Sequence, residues 1–257
     1  MSEHRDLPLS GKVAIVTGGT ANLGKLFAES LAGDGANVVA HYNSPGRADE
    51  AATVVAELEA LGVEALAHQG DLTDVAEITR LVDDTIERFG RWDILVNTAG
   101  LIVRKPLAET TEKEFDDSFA INSKIPFFLM REAFTKMADN GRIINMVTTQ
   151  VAVTAATYSA YAGSKAPVEH FTKAFAKEIG PRGITVNCIA PGPQKTSFFY
   201  NAENEETIAW LSGMTISGDL GDPVDVVPVM TFLAAPKTRW VTAQTVYVNG
   251  GMISPVN

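Results

Sequence analysis

The chain has 257 residues, 46% of them hydrophobic, and a net charge of −10 from 21 Lys and Arg against 31 Asp and Glu. That size and apolar share suit one α/β domain with a full core and no disulfides, and the negative balance, unrelieved by any Lys/Arg run, argues against a nucleic-acid or anionic-membrane surface. The single Cys188, a first ten residues without the apolar stretch of a signal peptide, and the absence of any apolar run near ~20 residues predict a cytoplasmic protein with no membrane-spanning helix.

Short β-branched runs alternate with amphipathic stretches along the chain, which predicts parallel strands joined by crossover helices. Residues 12–17 (KVAIVT), 37–42 (NVVAHY), 64–69 (EALAHQ), 93–97 (DILVN), 142–147 (RIINMV), 184–189 (ITVNCI) and 245–249 (TVYVN) read as seven strands. They are apolar enough to be covered on both faces. Val54, Val55, Leu58 and Leu61 recur at helical spacing after the second strand, and Val75, Ile78, Val82, Ile86 and Phe89 after the third. The fold class expected is therefore α/β, one domain over 1–257 with residues 1–10 as an extension. Residues 193–222 are the least regular and could form a lid.

TGGTANLG (17–24) leaves the first strand and opens a helix. Gly18 suits a tight turn, Gly24 suits close packing of helix on sheet, and the helix N-terminus offers N–H groups to a pyrophosphate; an ordinary strand-to-helix turn would look the same. After the third strand comes DLTD (71–74), where Asp71 could accept from an adenine amino group or the stretch could simply cap the next helix. NTAG (97–100) ends the fourth strand in small residues against which a flat ring can lie. In ATYSAYAGSK (156–165), a helix over 157–179 puts Tyr161 and Lys165 one turn apart on one face. An ammonium beside a phenol lowers the phenol's pKa from about 10 toward neutrality, as a general acid/base requires. Tyr158 has Ala162 at the equivalent place and is read as lining the site or packing. His4, His41, His68 and His170 lack metal-ligand spacing, so each reads as solvated or hydrogen-bonded and no metal is expected.

In this order, the segments resemble the short-chain dehydrogenase/reductase family over nearly the whole chain. TGGTANLG stands for the family's TGxxxGxG, DLT follows the third strand, NTAG stands for NNAG, Asn122 lies in INSKIPF, Tyr161 and Lys165 form YxxxK, Pro191 and Gly192 are followed by Thr196, and VNGG occupies 248–251. The resemblance implies a Rossmann-type, doubly wound fold with a seven-stranded parallel sheet and helices on both faces. It also implies a nicotinamide dinucleotide, a reversible carbonyl/alcohol reaction on a small molecule, and a homotetramer or homodimer built partly from the helices carrying Asn122 and Tyr161. Tyr161 is implied as the proton donor to the carbonyl oxygen, Lys165 as the group that lowers its pKa and holds the nicotinamide ribose, and Asn122 as the support of a relay water. The family's serine falls at Thr148, with Thr149 the alternative if the register slips.

The dinucleotide is implied to meet Gly18, Thr20, Asn22, Leu23 and Gly24 in the first loop, and Tyr42, Asn43 and Ser44 after the second strand. Asp71 and Leu72 follow the third, Asn97, Ala99 and Gly100 the fourth, and Pro191, Gly192 and Thr196 the sixth, with Tyr161 and Lys165 at the nicotinamide end. The substrate is implied to meet Thr149, Tyr158, Phe198, Phe199, Trp210 and Met214, although the aromatic crowd after PGPQKT could equally be core or a subunit contact.

Two residues depart from the family pattern. Thr148 adds a methyl to the serine position and narrows the pocket, while Asn22 replaces the middle glycine but tolerates a positive φ. The second strand ends without the Asp or Glu that selects NAD; Tyr42, Asn43 and Ser44 stand there, with Arg47 nearby, which predicts a moderate preference for NADP with NAD still possible. The leading reading is an NADP-preferring reductase of a ketone or aldehyde, a 3-oxoacyl reductase among its forms, and the rival is a dinucleotide-binding sensor or scaffold with little catalysis. Two prolines fall inside expected helices. Pro126 cannot donate to the Asn122 carbonyl, which predicts a bend and a freed carbonyl holding a water toward Lys165; Pro167 predicts a local bend beyond Lys165.

Overall fold

The apolar runs extend as strands because their β-branched side chains fit a surface covered on both faces, and turn or cap residues separate each from a helix. The structure, a computed structural model, describes residues 7–153 and 155–253; His4 and the first six residues of the expected extension lie outside them. The chain runs β1 (Val13–Thr17), α1 (Asn22–Gly33), β2 (Asn37–Tyr42), α2 (Ala48–Glu59), β3 (Ala65–Gln69), α3 (Val75–Phe89), β4 (Ile94–Asn97), α4 (Glu112–Phe119), α5 (Ile125–Lys136) and β5 (Arg142–Met146). It continues through α6 (Ser159–Ile179), β6 (Thr185–Pro191), α7 (Ser197–Tyr200), α8 (Glu205–Gly213), α9 (Val227–Ala234) and β7 (Thr245–Val248).

All seven strands pair in parallel in the order β3-β2-β1-β4-β5-β6-β7. Successive side chains of a strand point to opposite faces, so β1 feeds two cores. Ala14 and Val16 pack with Phe27 and Leu31 of α1, Leu58 of α2 and Met230 of α9, whereas Ile15 packs with Leu81 of α3, Leu129 of α5 and Ile179 of α6. This is the doubly wound Rossmann-type sheet with helices on both faces. Strand order reverses between β1 and β4, and there the loops after both strands open side by side, the usual place for a ligand in such sheets.

Three local expectations change. Leu61 lies beyond the end of α2 and is 49% exposed, so the stripe of that helix stops at Leu58. The helix expected from 157 begins at Ser159, because Thr157 adopts φ 71° and Tyr158 is its non-helical N-cap. α6 runs on as one helix across Pro167. The bend expected at Pro126 takes a different form. Residues Ala120–Lys124 form one π-helical turn, in which the Ile125 N–H reaches the Ala120 carbonyl, and Pro126 then sits in the first turn of α5, where a missing N–H matters little.

Candidate active site

The glycine loop is built for close approach. Gly18 (φ 64°) and Asn22 (φ 47°) both adopt left-handed conformations, so Asn22 keeps the loop shape of the glycine it replaces. A Cβ on Gly24 would overlap the Gly18 carbonyl, which makes glycine obligatory there. α1 begins with no side-chain cap and no acid in its first turn, leaving its N–H groups for an anion. His41 fixes the loop from behind: its Nδ1 accepts from the Gly18 N–H at 3.3 Å while Nε2 donates to the Gly70 carbonyl at 2.8 Å. Both roles need a neutral ring, and burial pushes its pKa down to about 4. In the sequence His41 is one unremarkable histidine; its task depends on Gly18 and Gly70 arriving from two other loops.

The Thr17 hydroxyl accepts from the N–H groups of Thr98 and Ala99, both at 3.1 Å, tying the NTAG loop to β1. Asn97 turns away. Its Nδ2 donates to Asn145 Oδ1 at 2.7 Å, beside it in register on β5, and Asn145 in turn donates to Thr172 of α6 at 2.9 Å. The expected cofactor contact at Asn97 is therefore corrected: its side chain braces the sheet against α6, and Ala99 and Gly100 form the wall instead. At the end of β6, Gly192 is pressed against Asn249 of the VNGG stretch and donates its N–H to the Val248 carbonyl at 2.9 Å.

These loops enclose a cavity of about 650 Å³. Its walls include Gly18, Thr20, Asn22, Leu23 and Gly24, then Tyr42, Asn43, Ser44 and Arg47, then Asp71 and Leu72. Ala99, Gly100, Pro191, Gly192 and Thr196 continue it to Thr148, Thr149, Tyr161 and Lys165. Asp71 also accepts from the Thr73 N–H and hydroxyl, and Asp74 caps α3. Thr196 caps α7 through its hydroxyl, and Ser197 donates to Asn22 Oδ1 at 3.0 Å, joining the irregular segment to the glycine loop.

Tyr161 and Lys165 lie one turn apart on α6, both buried. The charge relation differs from the expectation. Burial dominates and pushes the Tyr161 phenol up to about 12, with the neighbouring Thr148 hydroxyl pulling the other way. Burial likewise pushes the Lys165 ammonium down to about 8, and its Nζ donates to the Met146 carbonyl at 2.8 Å. Burial thus outweighs whatever the neighbouring charge contributes, and at pH 7 Tyr161 is a protonated donor. Thr149 spends its hydroxyl on the Ala190 carbonyl at 3.3 Å, which leaves Thr148 as the hydroxyl beside the phenol. Asn122 lies behind the wall, fully buried. Its amide accepts from the Leu101 N–H at 2.9 Å and donates to the Leu101 carbonyl and to Ser164, so that side chain clamps the NTAG loop to α6.

Beyond Tyr161 the cavity is bounded by Tyr158, Phe198, Phe199 and Glu203, with Leu211 and Met252. Trp210 and Met214 do not reach it. Trp210 is half exposed on a neighbouring cavity of about 450 Å³, and Met214 packs with Phe199, Leu211 and Leu220, because α8 turns Leu211 inward. Glu203 carries no signal in the sequence, since it lies in no periodic stretch and its partners, Tyr158 and Arg104, come from distant segments.

Residues 19–253 match the family described as Enoyl-(Acyl carrier protein) reductase. Hydroxynaphthalene reductase-like protein Arp2 of Metarhizium brunneum is 37% identical over 98% of this chain and 99% of its own, and short chain dehydrogenase mdpC of Emericella nidulans is 37% identical over 96% and 97%. The chain belongs to the short-chain dehydrogenase/reductase family. Among solved structures of such enzymes, a putative dehydrogenase from Burkholderia cenocepacia with bound NADP superposes with a TM-score of 0.93 at 41% identity, covering 98% of this chain and 97% of that one. Short-chain dehydrogenase/reductases are oxidoreductases that use NAD(P). Among the described residues, no His/Cys/Asp/Glu cluster could hold a metal and no helix is long and apolar enough to cross a membrane.

Proposed function

We propose that this chain is an NADPH-preferring reductase that converts a ketone or aldehyde to the alcohol, reversibly. The observation that carries the reading is the meeting of Tyr161, Lys165 and Thr148 on the wall of the same cavity onto which the glycine loop opens. The residues fit a dinucleotide: the uncapped start of α1, the contact that excludes a Cβ at Gly24, and the small wall at Ala99 and Gly100 leave room for phosphates and a flat ring. Gly18, Thr20, Asn22, Leu23 and Gly24 would hold the pyrophosphate, Asp71 and Leu72 the adenine, and Pro191, Gly192, Thr196 and Lys165 the nicotinamide half. When bound, that group supplies the hydride.

Tyr161 donates its phenolic proton to the carbonyl oxygen, which Thr148 orients through its own hydroxyl. The phenolate left behind stands one turn from Lys165, whose ammonium favours that charge. Preference for the 2′-phosphorylated dinucleotide follows from Tyr42, Asn43, Ser44 and Arg47 at the end of β2. It is moderate because Arg47 already pairs with Glu50 at 2.8 Å and must exchange that partner for a phosphate.

Residues 193–222 cover the substrate end. Phe127 and Phe134 of α5, half exposed and packed edge or tilted against Phe171 and Phe175 of α6, support a homotetramer or homodimer through these helices. A reducing cytoplasm accords with Cys188, buried and free. The test is a panel of ketones, aldehydes, 3-oxoacyl and enoyl thioesters scored by NADPH loss. Turnover of carbonyls is expected; tight dinucleotide binding with no turnover would replace this reading by the sensor.

A further inference from the structure

Residues 197–213 stand at the substrate end of the cavity as α7, a short loop and α8, and give its wall Phe198, Phe199, Glu203 and Leu211. At 4 and 9 residues neither helix is long enough to persist alone in water, so both depend on being docked. Part of the docking is apolar, through Phe199, Leu211, Leu220 and Met252. The polar part has two places. Ser197 donates to Asn22 Oδ1 at 3.0 Å at one end, and at the other Glu203 and Thr207 meet Arg104 and Tyr158.

Arg104 comes from the loop between β4 and α4 and joins three segments. Its Nη2 donates to the Thr207 hydroxyl of α8 at 2.6 Å, its Nε lies 3.2 Å from Glu203 Oε2, and its guanidinium lies 5.7 Å from the ring centre of Tyr158, the N-cap residue of α6. The next residue, Lys105, donates its N–H to the Thr157 carbonyl at 2.9 Å, which fixes this loop against the start of α6. Tyr158 in turn donates its hydroxyl to Glu203 Oε1.

The two charges are not equally sheltered. The Glu203 side chain is 1% exposed and that of Arg104 22%. A guanidinium on a long stem can turn to water when its anion is lost, whereas a carboxylate shut away to that degree cannot. Burial already holds the Glu203 carboxyl above its ordinary 4.5, against the pull of Tyr158 and Arg104. Without Arg104 it has two outlets: to take up a proton, or to reach solvent by lifting the loop between α7 and α8. The other groups nearby give no relief. Burial pushes the Tyr158 phenol far above the range in which carboxylates titrate, and Glu206 of α8, exposed on the neighbouring cavity beside Arg104, is another anion.

We propose that Arg104 is a positioning residue: by neutralising Glu203 and bonding Thr207, it keeps α7 and α8 seated over the substrate end of the cavity. The inference rests on the reductase reading, in which this segment covers the substrate, and it assigns the seating to one charge pair. Its sign with pH follows. In Arg104→Met the seated carboxyl holds its proton more tightly than the same group in water, so seating is kept at low pH and lost as pH rises above the ordinary carboxylate value.

The test is hydrogen exchange of residues 197–213 in the full chain, with and without NADPH, expressed as protection relative to the intrinsic rate at each pH. Arg104→Met is expected to lose at least about tenfold in protection at pH 8 and to recover most of it at pH 5. Arg104→Lys, which keeps the charge, should stay close to the unmodified protein. Adding Glu203→Gln to Arg104→Met should restore protection at pH 8 and abolish the pH dependence, while Glu203→Gln alone should cost less than Arg104→Met. On any ketone that the protein reduces, Arg104→Met should raise KM at pH 8 more than it lowers kcat, and the second substitution should bring KM back. Protection unchanged in Arg104→Met, or a loss that neither acid nor Glu203→Gln repairs, overturns the inference. Should Arg104→Met fail to fold at pH 8, the double variant decides: folded and protected supports the charge pair, equally unfolded overturns it. Exchange needs no substrate, so the expected pattern in a protein that reduces no carbonyl keeps the seating role and removes the reductase reading. Carbonyl turnover with a flat exchange pattern does the reverse.

Discussion

Lys165 gives a sharp test of the site's electrostatics, because its ammonium is buried with one carbonyl for a partner. Its pKa falls from the ordinary 10.5 to about 8, burial being the main cause. Each tenfold in proton affinity is worth about 1.4 kcal/mol, so at pH 7 the buried ammonium weakens the fold by on the order of 3 kcal/mol relative to a neutral amine. The folded pKa is the lower one, so between about pH 8 and 10.5 the unfolded chain carries a proton that the folded chain lacks. Stability from this group therefore rises with pH through that window. Lys165→Met removes the titration, though it also strips the Met146 carbonyl of its donor, an offset of about 1–3 kcal/mol that does not vary with pH.

The informative quantity is thus the change with pH in the stability difference between the two proteins. The unmodified protein should gain about 1 kcal/mol on Lys165→Met between pH 7 and pH 9, measured by urea unfolding of the nucleotide-free proteins with matched m-values. A difference that stays flat, or that moves in favour of the variant as pH rises, would refute the buried-ammonium account.

Tyr161→Phe should lower kcat by orders of magnitude with NADPH binding kept, whereas Tyr158→Phe should act mainly on KM; steady-state kinetics with a fluorescence titration of NADPH separates them, and the reverse ranking reassigns the proton donor. Tyr42→Asp places a carboxylate at the end of β2 and should move the ratio of kcat/KM for NADPH over NADH toward NADH; a ratio already at or below one in the unmodified protein would mean that the missing acid does not govern selection. Thr157, a β-branched residue at φ 71°, is strained just ahead of α6, so Thr157→Gly should raise stability by about 1 kcal/mol, read as a higher midpoint in urea. An unchanged or lower midpoint would show that the Thr157 side chain contributes more than its backbone strain removes.

The strands and the glycine loop were legible because their signals are local. A run such as VAIV is apolar at every position only when both faces are covered, and Gly24 next to a strand end has few uses beyond letting backbone meet backbone. Helical spacing alone is enough to bring Tyr161 and Lys165 to one face. The net direction of each group's shift was not legible, since it depends on how much water burial removes from each, and that is a property of everything packed around them.

Side-chain direction at the ends of elements was hidden for a related reason. Asn97 and Ala99 sit two residues apart in one motif, yet Asn97 faces Asn145 across the ladder while Ala99 faces the cavity, because β4 ends and the chain turns between them. Trp210 and Leu211 are adjacent on α8, and only the docking of that short helix against Phe199 and Met252 decides which of them is buried. The sequence by itself determined the sheet, the glycine loop and the family, all carried by residues close in the chain. The tertiary structure alone decided the protonation states, the role of His41 and the meeting of Glu203 with Tyr158 and Arg104, because each of these depends on groups brought together from separate loops and shut away from water.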